Sequence, residues 1–157
     1  MMQQLVNDVE VEESTVYKNL MAMTIDDMQM LVPQKEIDTF ESVHDLNTKD
    51  TLKNSIGWVQ SHGKEIPVYG FTKEFEIDKT LLSGKTICVI LDRVNIAIMC
   101  NDIKVMADRD LKIVPLPDSM LDSKTPVTSL CLYTVDGEEE LGLLFDAKSI
   151  SRYVGGL

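Results

Sequence analysis

Leu20-Met21-Ala22-Met23-Thr24-Ile25-Asp26-Asp27-Met28-Gln29-Met30-Leu31-Val32 is the stretch that decides the fold. It reads as two short strands around an acidic turn, the pattern of a hairpin. The same pattern returns without a gap at an offset of 66 residues, which sets Asp26 on Asp92. Met21 then falls on Ile87, Met23 on Val89, Ile25 on Leu91, Met28 on Val94, Met30 on Ile96 and Val32 on Ile98. The match continues into an acidic shoulder, with Glu36 on Asp102, Ile37 on Ile103 and Phe40 on Met106. Methionine is a poor strand former, so tertiary context outweighs propensity in the first copy. A duplicated β-unit points to a binding scaffold in which two halves form a groove.

Outward from the repeat, short strands dominate. Glu36 to Val43 fits either a strand or one helical turn, and Asp45 to Ser55 a loop or short helix. Gly57 to Ser61 and Lys64 to Tyr69 flank His62-Gly63, and the glycine supplies the positive φ of a tight hairpin turn. Pro67 suggests an edge strand, because it has no N–H to give a ladder. Leu111 to Pro117 is extended, fixed by Pro115 and Pro117. Val127 to Thr134 and Leu141 to Phe145 flank Asp136-Gly137, a second strong turn signal. Gly63 and Gly137 echo one another at an offset of 74. Ala147 to Tyr153 suits a short closing helix. The class is mainly β, and the many short strands suggest barrels.

Composition narrows the function. A length of 157 residues allows one domain or two small, tightly joined lobes. The net charge of −11 argues against nucleic-acid partners and anionic membranes, which need clustered Lys and Arg. Met1 to Ser14 is acidic and has no long apolar run, so it reads as neither signal peptide nor membrane span. Residues 1–15 are expected to be a flexible lead-in and 16–157 a single domain of two interlocked lobes. Cys88, Cys100 and Cys131 are odd in number and lie in apolar contexts, which predicts buried reduced thiols and a cytoplasmic setting.

Catalytic signatures are missing. No GxGxxG, GxxxxGK[ST] or GxSxG occurs, and His44, His62 and the cysteines lack metal-ligand spacing. Asp26-Asp27 and Glu138-Glu139-Glu140 are expected to be solvated turn and edge residues, while Trp58 and Phe71 read as core. The chain is therefore expected not to be an enzyme and to hold no cofactor or metal.

Gly57-Trp58-Val59-Gln60-Ser61-His62-Gly63-Lys64-Glu65-Ile66-Pro67-Val68 resembles the central signature of the CheW-like domain. That signature runs Gly, two apolar residues, Asn, Leu, Arg, Gly, then Pro-Val three residues on. Leu31-Val32-Pro33 with Ile37, Ile96-Ala97-Ile98 with Asp102-Ile103, Val114-Pro115-Leu116-Pro117 and Leu143-Leu144-Phe145-Asp146 are similar to its other segments, in order. The resemblance covers Tyr17 to Tyr153. It implies two SH3-like five-stranded β-barrel subdomains with short helices around a common core. It also implies an adaptor in a bacterial chemosensory array, coupling chemoreceptor cytoplasmic tips to a CheA-type histidine kinase. The partner-binding positions it implies are Ile37, Thr39, Gln60, His62 and Gly63, with Val105 from the opposite lobe. The family's Asn, Leu and Arg are Gln60, Ser61 and His62 here, its Glu is Thr39, and the Asp after Pro-Val is Gly70. Histidine replaces a bidentate Arg poorly, so the departures also fit a CheW-like fold serving another assembly, for example a pilus-linked one without direct kinase control.

Overall fold

The computed structural model describes residues 19–79, 84–106, 111–117 and 125–156. The expected lead-in at residues 1–15 lies outside the described residues. The strands are β1 (Leu20–Ile25), β2 (Met28–Pro33), β3 (Ile37–Ser42), β4 (Gly57–Ser61), β5 (Lys64–Tyr69), β6 (Ile87–Leu91), β7 (Ile96–Cys100), β8 (Asp102–Val105), β9 (Lys112–Pro115), β10 (Ser129–Val135) and β11 (Glu138–Leu144). One α-helix, α1 (Ala147–Gly155), follows them. Glu36 to Val43 is thus mostly strand, preceded by a 3-10 turn at Gln34–Glu36 and followed by another at Val43–Asp45.

Both copies of the repeat are antiparallel hairpins, β1·β2 and β6·β7. The third strand of each copy crosses over. β3 pairs with β6, and β8 pairs with β1. The hairpin β4·β5 joins the second copy through a parallel contact of β5 with β7, and β10·β11 joins the first through β11 and β2. Two sheets result, ordered β8-β1-β2-β11-β10-β9 and β3-β6-β7-β5-β4. The second has the five strands expected. The first has a sixth, β9, which pairs with β10.

Strand periodicity explains the core. Met23, Ile25, Met30 and Val32 share one cluster with their counterparts Val89, Leu91, Ile96 and Ile98. These matched positions face the seam between the sheets. The alternate positions face each lobe's interior: Leu20, Ala22 and Leu31 in one, Cys88, Ile90, Ala97 and Met99 in the other. β7 is buried along its whole length, as a strand packed on both faces must be. Phe71, Phe145, Ile150 and Tyr153 complete the shared core, each side chain contributing about 1.5–3 kcal/mol by leaving water. The Tyr153 hydroxyl donates to the Phe75 carbonyl, which anchors α1 to the loop after β5. Asp146 caps α1: its Oδ1 accepts from Ser149 N at 2.7 Å, and its own N–H donates to Ser149 Oγ at 3.1 Å.

The second sheet curls until its ends meet. β3 and β4 lie at opposite ends, yet Asn47, just beyond β3, exchanges two backbone hydrogen bonds of 2.8 Å with Trp58 of β4. Trp58 Nε1 donates to Lys49 O at 2.9 Å, so the half-buried indole pins this seam. Pro67 is not on an edge, because β5 lies between β4 and β7. Its partner Trp58 spends both backbone groups on Asn47, and the pairing of β5 with β7 begins only at Val68. The missing N–H therefore breaks no ladder bond.

Candidate partner-binding surface

Ile37 is half-buried on β3, opposite Leu91, and packs against the shared core. The register slips between Ile37 and Thr39, which leaves Asp38 as the extra residue of a β-bulge. Thr39 is half-buried opposite Ile90, and Gln60 is exposed opposite Glu65. His62 and Gly63 have φ of +51° and +77°, the two positive angles of a type I′ hairpin turn. His62 Nε2 lies 3.2 Å from Asp38 Oδ2, with the imidazole 72% exposed. The bulge on β3 and the β4–β5 turn thereby form one rim. Ile37, Thr39 and His62 share this end of the second sheet. Val105 does not join them: it is 67% exposed on β8 of the first sheet, opposite Met21.

Among the described residues, one groove is lined by His62, another by Val105, and a third lies beside the β6–β7 turn. One of 310 Å³ lies at the mouth of the second sheet and includes Asp38, Ser61, His62, Lys64, Ile66 and Asn95 in its lining. One of 270 Å³ in the first sheet includes Gln29, Lys104, Val105, Tyr133, Val135 and Glu140. They correspond in part across the two copies. The repeat offset of 66 sets Asp38 on Lys104 and Asn95 on Gln29, and the hairpin offset of 74 sets Ser61 on Val135 and Ile66 on Glu140. The second sheet's version has a polar rim bridged by Asp38 and His62, whereas the first sheet's is flanked by Val105 and Val135. The third groove, 510 Å³, runs between Lys35 and Glu36, the β6–β7 turn and the start of α1.

One acidic position ties the copies together, and a second ties the first copy to α1. Asp26 has φ of +58°, and its N–H donates to Asn101 Oδ1 at 2.7 Å. Its carboxylate lies 3.4 Å from Lys85 Nζ, and Asp78 lies 3.2 Å from the same ammonium, which is only 2% exposed. Asp26 sits in the exposed hairpin turn expected of it, and it also makes a contact between copies. Glu36 Oε1 accepts from Ala147 N at the start of α1, at 3.0 Å. Burial pushes its carboxyl above the ordinary range, although the Ala147 hydrogen bond opposes the shift. Glu138, Glu139 and Glu140 are exposed, as expected. Spacing alone did not single out Lys85 or Asp38, because each acquires its role only when distant strands meet.

The cysteines are buried and reduced. Burial pushes the thiols of Cys88 and Cys100 up to about 12 and that of Cys131 to about 11, against nucleophilic use at neutral pH. Among the described residues no cluster of His, Cys, Asp or Glu could hold a metal ion, and no helix is long and apolar enough to cross a membrane.

No family model matches the sequence, and no curated protein matches it. Among solved structures, the scaffolding protein TtCheW from Thermoanaerobacter tengcongensis aligns with a TM-score of 0.59, over 82% of this chain and 88% of that one. The fold is CheW-like. Identity to TtCheW is 16%. A CheW-like fold at that distance needs apolar alternation and turn chemistry at fixed places, and both are present here. The positive φ angles of His62-Gly63 and of Asp136-Gly137, +52° and +82°, set the two added hairpins. The exposed rims around them are under no such demand.

Proposed function

We propose that the chain is a non-enzymatic adaptor of bacterial chemosensory signalling. It couples receptor cytoplasmic tips to a CheA-type histidine kinase by protein–protein contact, in the cytoplasm. The observation that carries this reading is the CheW-like pair of interlocked sheets, with grooves that correspond in part. Residues 16–157 act as one domain. Ile37, Thr39, Gln60, His62 and Gly63 form the polar-rimmed contact of the second sheet, and Val105 supplies an apolar contact on the first. No bond is made or broken, in keeping with thiols that burial holds protonated.

Titration of the folded protein against receptor tips and the kinase regulatory domain tests the reading. Saturable binding to both is expected, and binding to neither sinks it. The Asp38–His62 contact favours a second reading, a CheW-like assembly partner without direct kinase control, because His62 is already turned to a neighbour on its own chain. Receptor binding without kinase binding, restored to both by His62→Arg with Thr39→Glu, would select that alternative.

A further inference from the structure

One outer edge of the first sheet is β8. It runs against β1 in an unbroken register, Asp102 opposite Thr24, Ile103 opposite Met23, Lys104 opposite Ala22 and Val105 opposite Met21. One step further, Met106 N–H donates to Leu20 O at 2.9 Å. Antiparallel ladders alternate, so Asp102 and Lys104 spend their backbone groups on β1, while Ile103 and Val105 turn theirs outward. The other sheet edges are blunted. β3 bulges at Asp38, β4 is closed by the Asn47–Trp58 bonds, and β9 carries Pro115. β8 has neither bulge nor proline. Asp102 and Lys104 are exposed, Ile103 is half-buried, and neither charge joins an ion pair among the described residues.

We propose that β8 is a self-complementary edge, which pairs antiparallel with β8 of a second molecule of this chain about a two-fold axis at Ile103. A two-fold axis through a sheet sets residues of the same face opposite one another, so the register must centre on a residue. Centred on Ile103, the outward N–H and C=O of that residue exchange two hydrogen bonds with its equivalent. Asp102 then stands opposite the second molecule's Lys104, and Lys104 opposite the second molecule's Asp102. These two pairs occupy non-hydrogen-bonded positions, where side chains approach most closely. Centred on Lys104, lysine faces lysine, and centred on Val105, Lys104 faces Met106. Only the Ile103 register satisfies both charges. A lysine ordinarily guards an edge, but here it meets an acid. Four residues make a small interface, so the association is weak and concentration-dependent. The pairing stands apart from the adaptor reading, because it needs neither receptor nor kinase.

The test is sedimentation equilibrium of the whole chain at concentrations up to about 1 mM, which reaches the weak affinities of small interfaces. Physiological ionic strength screens the mutual repulsion of two molecules of charge −11. The wild type is expected to dimerise. Asp102→Lys and Lys104→Asp each set like charges opposite at both symmetric positions, and each is expected to weaken the dimer about tenfold or more. Mixing the two variants in equal amounts restores opposite charges at every position and is expected to restore the dimer. The double variant should also dimerise by itself, which guards against a single variant that folds poorly. A wild type that stays monomeric throughout overturns the proposal. So does a dimer that both single variants retain, or a mixture and a double variant that remain monomeric.

Discussion

Thr39 and Val105 occupy the same place in the two copies, yet each is paired into the other copy's hairpin, Thr39 opposite Ile90 and Val105 opposite Met21. The exchange makes each sheet depend on both halves of the chain. β1 has β8 as its outer neighbour, and β3 has no sheet partner but β6. A fragment of residues 1–79 therefore lacks β6, β7, β8, β9, β10 and β11. It is expected to show no dispersed NMR spectrum alone and to regain one when mixed with residues 80–157. A folded isolated half would mean that the crossed strands are dispensable.

Lys85 joins the copies by charge. Its ammonium is 2% exposed between Asp26, 42% exposed, and Asp78, 18% exposed. Removing a buried partner strands the opposing charges, a loss of several kcal/mol when they are fully enclosed and less when water reaches one of them. Lys85→Met is expected to destabilise by roughly 2 kcal/mol in urea unfolding. The double variant with Asp78→Asn should lose less than the two single losses combined. Strict additivity would show that the two groups do not act together.

The thiols give a direct check on packing. All three cysteines are buried, and their thiols are raised to about 12, 12 and 11 for Cys88, Cys100 and Cys131. At pH 8 the thiolate fraction is then very small, and access is blocked as well. A thiol-specific chromogenic reagent is expected to label none within minutes in native buffer and three per chain in denaturant. Rapid native labelling at any site would contradict the burial described.

The residues that built the fold were readable because their cause is local. Apolar alternation at Met21–Val32 and at Ile87–Ile98 needs only period 2, and His62-Gly63 and Asp136-Gly137 need only turn chemistry. The exchange of β3 and β8 was not readable, since Ile37 and Ile103 look alike whichever hairpin they join. Pro67 misled for a related reason. Its missing N–H signals an edge until Trp58 is seen bonded to Asn47. The partner surface was legible only in part. His62 and Thr39 carried a family position, but Asp38 became a rim residue through a one-residue bulge that no spacing announces.

Glu36 gives the pH prediction. Its half-buried carboxyl accepts from Ala147 N at 3.0 Å, and burial is the largest influence on it, raising its pKa above the ordinary 4.5. The Ala147 bond and Lys35 oppose that rise, and Asp146 adds to it. A carboxyl whose folded pKa exceeds its unfolded one binds its proton more tightly when folded. Its favourable contribution is complete below the unfolded value and is lost as pH climbs through the raised folded value. Near neutral pH the anion therefore costs stability. Glu36→Gln keeps an oxygen for Ala147 and stays neutral throughout, so it imitates the protonated group. The variant is expected to melt at or above the wild-type temperature at pH 7, with the difference shrinking towards pH 4. Glu36→Ala, which removes the acceptor from the helix start, should melt lower at both. If Glu36→Gln melts lower than wild type at pH 7 and the gap closes in acid, the charge on the α1 N-terminus outweighs the burial penalty.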